Sequence, residues 1–288
     1  MFSTFKRLTL ATAALAFAAH ATAADLSLEV YNPGEAAIFP VSSVLVSGAK
    51  DAILVDAQFG KGQAEQLVQK IRASGKHLTT IYISHGDPDY YFGLDTLTAA
   101  FPDANVLAPQ PVVDHIKATV AGKLEFWGPK MGADKPAKTI VPQALQGHSL
   151  SLEGQQLDVI GLDGPQPDRT FVWIPSIKAV VGGVVVAENI HVWMADTQSE
   201  QSHKDWLVTL QRIEELKPRT VIPGHYLGTP SLKSVAFTAD YIKAFDAETA
   251  RAKDSAALIT AMKKRYPTLA DESSLELGAK VAKGEMKW

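Results

Sequence analysis

The most informative stretch of this sequence is TTIYISHGDPDY, residues 79–90. Its first half, Thr79–Ser84, is rich in β-branched and aromatic residues, and this composition predicts a strand. Its second half, His85–Tyr90, places one imidazole, two carboxylates and a phenol within six residues. In open α/β sheets, ligands bind beyond the carboxyl ends of the strands. The loop that starts at His85 is therefore the first candidate for a functional site.

Two interpretations of this loop are open from its local sequence. Imidazole nitrogens and carboxylate oxygens are ligands that zinc and harder divalent cations accept, which favours a metal site. Asp, Gly and Pro are also common turn formers, and Asp89 could cap the helix that follows. A second polar segment, Pro223-Gly224-His225-Tyr226, follows a short predicted strand. Its glycine allows a sharp turn that aims the His225 ring, although an isolated histidine is more often held by ordinary hydrogen bonds.

The flanking sequence predicts one α/β domain. Two short apolar runs around residues 48–51 predict a hairpin that ends at Asp56. Apolar residues at helical spacing from Ala64 to Ile71 predict a helix that ends at Gly75. Further strands are predicted over residues 105–108, 149–152, 156–160, 170–174, 179–186 and 220–222, and helices over residues 91–101, 111–122 and 202–216. Residues 123–138 contain two prolines and two glycines, and we expect an irregular loop or lid there.

Composition limits the kinds of partner and chemistry. The chain has 288 residues, a formal net charge of -3 and no cysteine. The absence of cysteine excludes disulfides, zinc-thiolate sites and a cysteine nucleophile. No basic excess points to nucleic acid, so we expect none as a partner. No pattern in the sequence indicates an oligomeric state.

Residues 1–23 have the composition of a secretory signal peptide. Lys6 and Arg7 precede an apolar run, Leu8–Ala19, and Ala21-Thr22-Ala23 offers the small residues that a signal peptidase reads. An N-terminal membrane anchor is the alternative, but the run is shorter than the roughly 20 residues that span a bilayer. We therefore expect a periplasmic protein with no membrane association after cleavage. The mature chain would contain a domain over residues 24–230 and a helical extension over residues 231–288 that packs on it.

Three landmarks occur in a recognisable order: SSVLVSGAKDAILVDAQFG at residues 42–60, TTIYISHGDPDYYFGL at residues 79–94 and VIPGHY at residues 221–226. This order resembles the metallo-β-lactamase superfamily over about Ala36 to Gly228. That family has an opening hairpin that ends in Asp, an H-x-H-x-D-H loop after a strand, and a late P-G-H. The resemblance implies an α/β fold of the four-layer αββα sandwich type, with a site on the rim between two mixed sheets and with a C-terminal helical tail.

The polar loop departs from the family pattern, because this sequence has H-x-D-x-D-Y. His85 and Asp89 match the first histidine and the aspartate of the family. Asp87 and Tyr90 stand where the family has its second and last histidines. The late histidine matches His225.

Two further family ligands are altered. The third metal-binding histidine is expected within residues 164–170, where Asp168 is the plausible substitute, and Gly183 replaces the bridging carboxylate. The resemblance therefore implies a reduced or altered metal site that holds a single divalent ion (zinc, manganese or iron) or none. Its candidate ligands are His85, Asp87, Asp89, Asp168 and His225.

The activity that the resemblance implies is hydrolysis of a small ester, lactone or amide. A bound cation would lower the pKa of water, and Asp89 would orient that water or accept its proton. Asp89 and Tyr90 are candidate catalytic residues. His191, which follows a predicted strand near the same rim, is the third. The alternative is a non-catalytic protein of the same fold that has lost its metal and binds a small molecule.

Overall fold

The computed structural model describes residues 25–288, so the predicted signal peptide lies outside the described residues. The strands are β1 (Ser27–Tyr31), β2 (Ser43–Ser47), β3 (Asp51–Val55), β4 (His77–Tyr82), β5 (Asn105–Ala108), β6 (Gln143–Ala144), β7 (Ser149–Leu152), β8 (Gln155–Ile160), β9 (Phe171–Ile174), β10 (Ala179–Val181), β11 (Ala187–Glu188), β12 (Thr220–Val221) and β13 (His225–Tyr226). The helices are α1 (Lys61–Ala73), α2 (Pro88–Tyr91), α3 (Leu94–Ala100), α4 (Gln110–Met131), α5 (Glu200–Glu215), α6 (Ser234–Arg251), α7 (Ser255–Arg265) and α8 (Glu272–Ala282).

Two mixed sheets form the centre of the fold. The first has the order β1-β2-β3-β4-β5-β6, with antiparallel pairing up to β3 and parallel pairing beyond it. The second has the order β12-β10-β9-β8-β7, in which only β10 and β12 pair parallel. The hairpin predicted around residues 48–51 is confirmed as β2–β3. A short parallel pair, β11 and β13, places His225 opposite Ala187.

Alternation of side chains along the strands builds four layers. On β2, Val44 belongs to the core between the sheets and Leu45 to the core beneath α1–α4. On β9, Val172 faces the core between the sheets and Trp173 the core beneath α5–α8. Helices therefore cover both outer faces, and the αββα sandwich expected from the sequence is confirmed.

The helices after residue 230 bury their apolar faces in the second outer core. Tyr241, Leu258 and Leu275, one from each of α6, α7 and α8, pack in the same cluster as Trp173 of β9. The extension is thus attached to the sandwich by apolar contacts. Across residues 25–288, no helix has both the length and the apolar character needed to cross a membrane.

The prediction of a lid that begins at residue 123 is wrong. Helix α4 continues to Met131 and includes Pro129. A proline in the last turn removes one helical hydrogen bond, and its fixed φ is compatible with a helix. Trp127 and Met131 are buried in the core beneath α1–α4, and their burial stabilises this turn.

The strand predicted over residues 179–186 is shorter than expected. β10 ends at Val181 because Gly182 and Gly183 follow with φ values of 68° and 80°. Positive φ is open to glycine and unfavourable for most other residues, and it turns the chain out of the sheet. This turn brings Gly183 to the rim where the polar loop lies.

Candidate active site

A buried carboxyl group ties the rim segments together. Asp56, directly after β3, accepts hydrogen bonds from the Ser84 backbone N–H (2.8 Å) and from the Ser84 hydroxyl (2.7 Å). The Ser84 oxygen in turn accepts a hydrogen bond from the Gly183 N–H at 2.7 Å. Burial raises the pKa of Asp56 to about 7, against the lowering effect of the Ser84 hydrogen bonds. Asp56 thus joins the ends of β3 and β4 to the turn after β10.

The first cluster of polar side chains consists of His85, Asp87 and Lys123. His85 Nε2 lies 3.2 Å from Asp87 Oδ2, and Lys123 Nζ, from α4, donates to Asp87 Oδ1 at 3.2 Å. The other His85 nitrogen, Nδ1, lies 3.2 Å from the backbone carbonyl of Asp168. A carbonyl and an ionised carboxylate only accept hydrogen bonds, so the His85 ring donates at both nitrogens and carries a positive charge.

The charges of this cluster stabilise one another. Burial alone would raise the pKa of Asp87, but His85 and Lys123 outweigh it and hold the pKa well below its usual range. Burial by itself would lower the pKa of His85 and the pKa of Lys123. The negative charge of Asp87 outweighs burial in both cases, so each pKa is raised. Asp87 therefore stays ionised between two cations.

The second cluster is a hydrogen-bonded chain of Tyr90, His225 and Asp89. The Tyr90 hydroxyl lies 3.1 Å from His225 Nδ1, and His225 Nε2 lies 2.6 Å from Asp89 Oδ2. Burial and the nearby Asp89 raise the pKa of Tyr90 well above its usual value, so the phenol keeps its proton. Tyr90 therefore donates to Nδ1, and His225 donates from Nε2 to Asp89.

Tyr90 also separates the two histidines that the sequence predicts at the rim. Its ring centroid lies 5.3 Å from that of His85 and 5.4 Å from that of His225, and both pairs are T-shaped. Both histidines thus reach the same part of the rim, but each is paired with a different carboxylate. The structure brings the predicted residues together as two pairs.

Close approach of two glycines makes room for this arrangement. A Cβ on Gly224 would lie 2.1 Å from the Gly183 carbonyl oxygen and 2.7 Å from the Tyr90 hydroxyl. A Cβ on Gly183 would lie 2.0 Å from the Thr170 carbonyl oxygen. Any side chain at Gly183 would clash with this backbone, so the position of the family's bridging carboxylate has no space for one.

The donors in this arrangement do not fit a metal centre. Both ring nitrogens of His85 are engaged, Nε2 by Asp87 and Nδ1 by the Asp168 carbonyl, whereas a metal ligand needs a free lone pair. Tyr90 contacts Nδ1 of His225 while Asp89 contacts Nε2, so the three groups do not converge on one point. Within residues 25–288, no set of three or more His, Cys, Asp or Glu side chains could hold a metal ion.

The segment over residues 164–170 brings a cation to the rim. Asp168 contributes its backbone carbonyl to His85, and its carboxylate lines a cavity beside it. The next residue, Arg169, is 5 % exposed and lies with Cζ 4.4 Å from the centre of the Trp206 ring. Burial lowers the pKa of Arg169, and Asp196 and Asp168 partly offset this effect. A guanidinium group therefore stands in the segment where the sequence led us to expect a third metal ligand.

His191 lies against the same site from the other side. It is buried, its Nδ1 lies 3.0 Å from the Tyr241 hydroxyl, and its Nε2 has no hydrogen-bond partner among residues 25–288. Burial lowers its pKa, which favours the neutral imidazole. His191 lines a cavity together with Asp89 and His225.

Two cavities meet at the rim. The inner cavity, about 40 Å³, is walled mainly by apolar side chains and includes Phe39, Asp89, Trp127, Val184, His191, Trp193 and His225. The outer cavity, about 550 Å³, is lined mainly by polar side chains and includes His85, His115, Thr119, Gln166, Asp168, Arg169, Asp196 and Gln198. Asp87, Lys123 and Trp288 line both cavities and so form the boundary between them.

Sequence reasoning missed four residues of this site: His115, Lys123, Asp196 and Trp288. The His115 ring stacks on that of His85 at 6.5 Å, and Lys123 Nζ lies 4.6 Å from the centre of the Trp288 ring. Asp196 accepts a hydrogen bond from the Trp288 indole at 2.6 Å. If a helix had been predicted through residues 110–131, it would have placed His115 and Lys123 about two turns apart on similar faces. That spacing was the one sequence signal that could have identified these two residues. No local sequence pattern identifies Asp196 or Trp288 as residues of the site.

Comparison with known proteins agrees with the fold. A profile of the metallo-beta-lactamase superfamily matches residues 37–225. The chain therefore belongs to the metallo-β-lactamase superfamily, which consists largely of hydrolases that typically bind divalent metals such as zinc.

The curated relatives are distant and partial. A Caenorhabditis elegans protein named beta-lactamase-like protein 2 homolog is 21% identical over 200 residues, which cover 68% of this chain and 59% of that protein. A Bacillus subtilis (strain 168) protein, YobT, is 35% identical over 71 residues, 25% of this chain and 30% of that protein. The chain thus covers less than two thirds of the length of each of these relatives.

Solved structures share the fold at low sequence identity. A metallo-beta-lactamase family protein from Thermus thermophilus has a TM-score of 0.60 at 19% identity, over 90% of this chain and 94% of that one. The DIM-1 metallo-beta-lactamase, in a structure exposed to ceftazidime, has a TM-score of 0.52 at 20% identity, over 77% of this chain and 98% of that one.

Proposed function

We propose that this protein is a hydrolase of a small ester, lactone or amide in which protein side chains carry the chemistry. The observation that carries the proposal is the hydrogen-bonded chain from Tyr90 through His225 to Asp89, with the Lys123 ammonium lining the same inner cavity. An oriented carboxylate can act as a general base for the addition of water to a carbonyl, and a fixed cation can stabilise the oxyanion that forms.

Asp89 is the proposed general base. Tyr90 holds the Nδ1 side of His225 and thereby sets the tautomer, and His225 holds Asp89 through Oδ2. The carboxylate takes a proton from a water molecule as the water oxygen bonds to the substrate carbonyl carbon. It returns that proton to the leaving oxygen or nitrogen as the bond to the carbonyl carbon breaks. Tyr90 and His225 are positioning residues in this scheme.

Lys123 is the proposed source of positive charge for the developing oxyanion. Its pKa is raised because Asp87 outweighs the effect of burial, so it stays protonated at neutral pH. An ammonium held by a buried ion pair needs little reorganisation during the reaction, which is the condition for electrostatic stabilisation of a transition state. His191 lines the same cavity and its buried Nε2 has no hydrogen-bond partner within residues 25–288, so it is a candidate polar contact for the substrate.

Turnover of chromogenic esters by matched variants tests this proposal. Asp89→Asn removes the base while it preserves shape, and we expect kcat/KM to fall by about 10²-fold or more. His225→Ala should cause a comparable loss with little change in the far-ultraviolet circular dichroism spectrum. The matched control is Asp51→Asn, because Asp51 forms an exposed pair with His77 at the far end of β4 (3.2 Å). Full activity in Asp89→Asn would contradict the proposal.

A second candidate function is small-molecule binding without catalysis. The observation that favours it is that both oxygens of Asp87 are satisfied by His85 and Lys123, so this carboxylate needs no metal for its stability. In a binding protein, His225→Ala would change ligand affinity or the free energy of unfolding, and the wild type would turn over none of the esters.

We also propose export to the periplasm by removal of residues 1–23. Support comes from the basic, apolar and small-residue pattern of the first 23 residues. N-terminal sequencing of the protein recovered from a periplasmic fraction tests this. A mature chain that begins at residue 24 or 25 is expected, and an intact Met1 in the cytoplasmic fraction would contradict it.

A further inference from the structure

Trp288 is held at the boundary between the two cavities by contacts on several sides. Its indole N–H donates to Asp196 Oδ1 at 2.6 Å, and Lys123 Nζ lies 4.6 Å from the centre of its ring. Trp193 and Phe126 contact it edge-to-face, with ring centroids 5.2 Å and 5.4 Å away. Aromatic pairs of this geometry and a cation over an indole each stabilise the position of the ring.

The inner cavity is small and has aromatic walls. Phe39 lies 5.0 Å from Trp127 and 6.4 Å from Trp193, centroid to centroid, and both pairs are edge-to-face. A volume of about 40 Å³ is well below the roughly 150 Å³ of a protein cavity that holds benzene. The inner cavity is therefore smaller than that benzene-binding cavity, and its size favours a short acyl group over a ring or a long chain.

The outer cavity is larger than the inner cavity and has a greater share of polar wall. Its volume is about 550 Å³, and its walls carry cations, carboxylates and amides, among them His115, Gln166, Asp168, Arg169 and Gln198. Such a surface suits a large group with many hydrogen-bonding atoms and no large net charge. The two cavities thus accept chemically different halves of one molecule.

We propose that the substrate is a short-chain acyl ester or amide of a larger polar molecule, and that Trp288 sets the acyl-chain limit. The acyl group would occupy the inner cavity beside Asp89, the carbonyl would lie at the boundary near Lys123, and the polar leaving portion would fill the outer cavity. This assignment rests on the proposed function, because it takes Asp89 as the point of reaction.

A series of p-nitrophenyl esters with one leaving group tests the chain-length limit. We expect kcat/KM of the wild type to fall by about tenfold or more from acetate to octanoate, since a hydrophobic pocket discriminates by about tenfold or more per misfit group. Trp288→Ala joins the two cavities and should raise the octanoate-to-acetate ratio by a similar factor. Trp173→Phe, in a buried tryptophan that lines neither cavity, is the control and should leave the ratio unchanged.

The outcomes separate this inference from the proposed function. A wild type that prefers octanoate, or an unchanged ratio in folded Trp288→Ala, overturns the chain-length assignment while hydrolysis itself stands. If no ester is hydrolysed, the proposed function fails, and calorimetric titration with acetate and octanoate decides the size of the inner cavity. Trp288→Ala must then strengthen octanoate binding about tenfold relative to acetate, and an equal effect on both ligands overturns the inference.

Discussion

Asp56→Asn is the most revealing perturbation of the rim, because Asp56 is fully buried and its hydrogen bonds join three segments. In the wild type it accepts from the Ser84 N–H and hydroxyl, and Ser84 accepts from the Gly183 N–H. The charged groups that act on it are His85, which favours the ionised form, and Asp89, which disfavours it. Asparagine keeps an acceptor oxygen for the Ser84 N–H and removes the titration.

The magnitude follows from the pKa of Asp56, which is about 7 in the folded protein against an ordinary value of 3.8. A difference of about three pKa units corresponds to about 4 kcal/mol. The folded state binds the Asp56 proton more tightly than the unfolded state does, so protonated Asp56 favours folding. This contribution to the free energy of unfolding is fully present below the unfolded pKa and is lost as the pH rises through about 7. The amide side chain of the variant does not titrate, so it carries no such dependence.

Urea unfolding of wild type and Asp56→Asn between about pH 4 and pH 8 measures this effect. We expect the variant to gain stability relative to the wild type as the pH rises, by up to about 4 kcal/mol. The comparison cancels the titration of groups that the two proteins share. A difference that stays constant within about 1 kcal/mol across this range would refute the reasoning.

Two further predictions concern the core and the metal. Trp206→Ala should lower the free energy of unfolding, measured in urea, by about 3–5 kcal/mol. Trp206 is 1% exposed, donates to the Val185 carbonyl at 2.8 Å and packs under Arg169. A loss below about 1 kcal/mol would contradict this packing. Protein purified without added metal should contain at most one equivalent of metal per chain by elemental analysis, and chelation should leave ester turnover unchanged; two tightly bound zinc ions would contradict the proposed side-chain chemistry.

The strands and helices were predictable because they depend on patterns that are local in sequence, whereas the αββα sandwich was expected from the resemblance to the metallo-β-lactamase superfamily. The sequence did not mark which core each strand face joins, because neighbours such as Val44 and Leu45 are both apolar and both buried. The rim loop was predictable because His85 and Asp89 follow a strand that the sequence marks clearly. The loop predicted around Pro129 was wrong because the burial of Trp127 and Met131 stabilises the helix by more than the loss of one backbone hydrogen bond destabilises it.

By itself, the sequence determined an α/β domain, the order of the landmarks that resemble the metallo-β-lactamase superfamily and the departure of the polar loop from that family's histidine pattern. Only the tertiary structure decided which groups pair at the rim. Lys123 reaches Asp87 from a helix 36 residues later, and Trp288 reaches Asp196 across 92 residues. Such contacts depend on how the layers place distant side chains, and periodicity within a segment carries no information about that placement. The physical reason is that a buried charge must find its partner in space, wherever that partner lies in the chain.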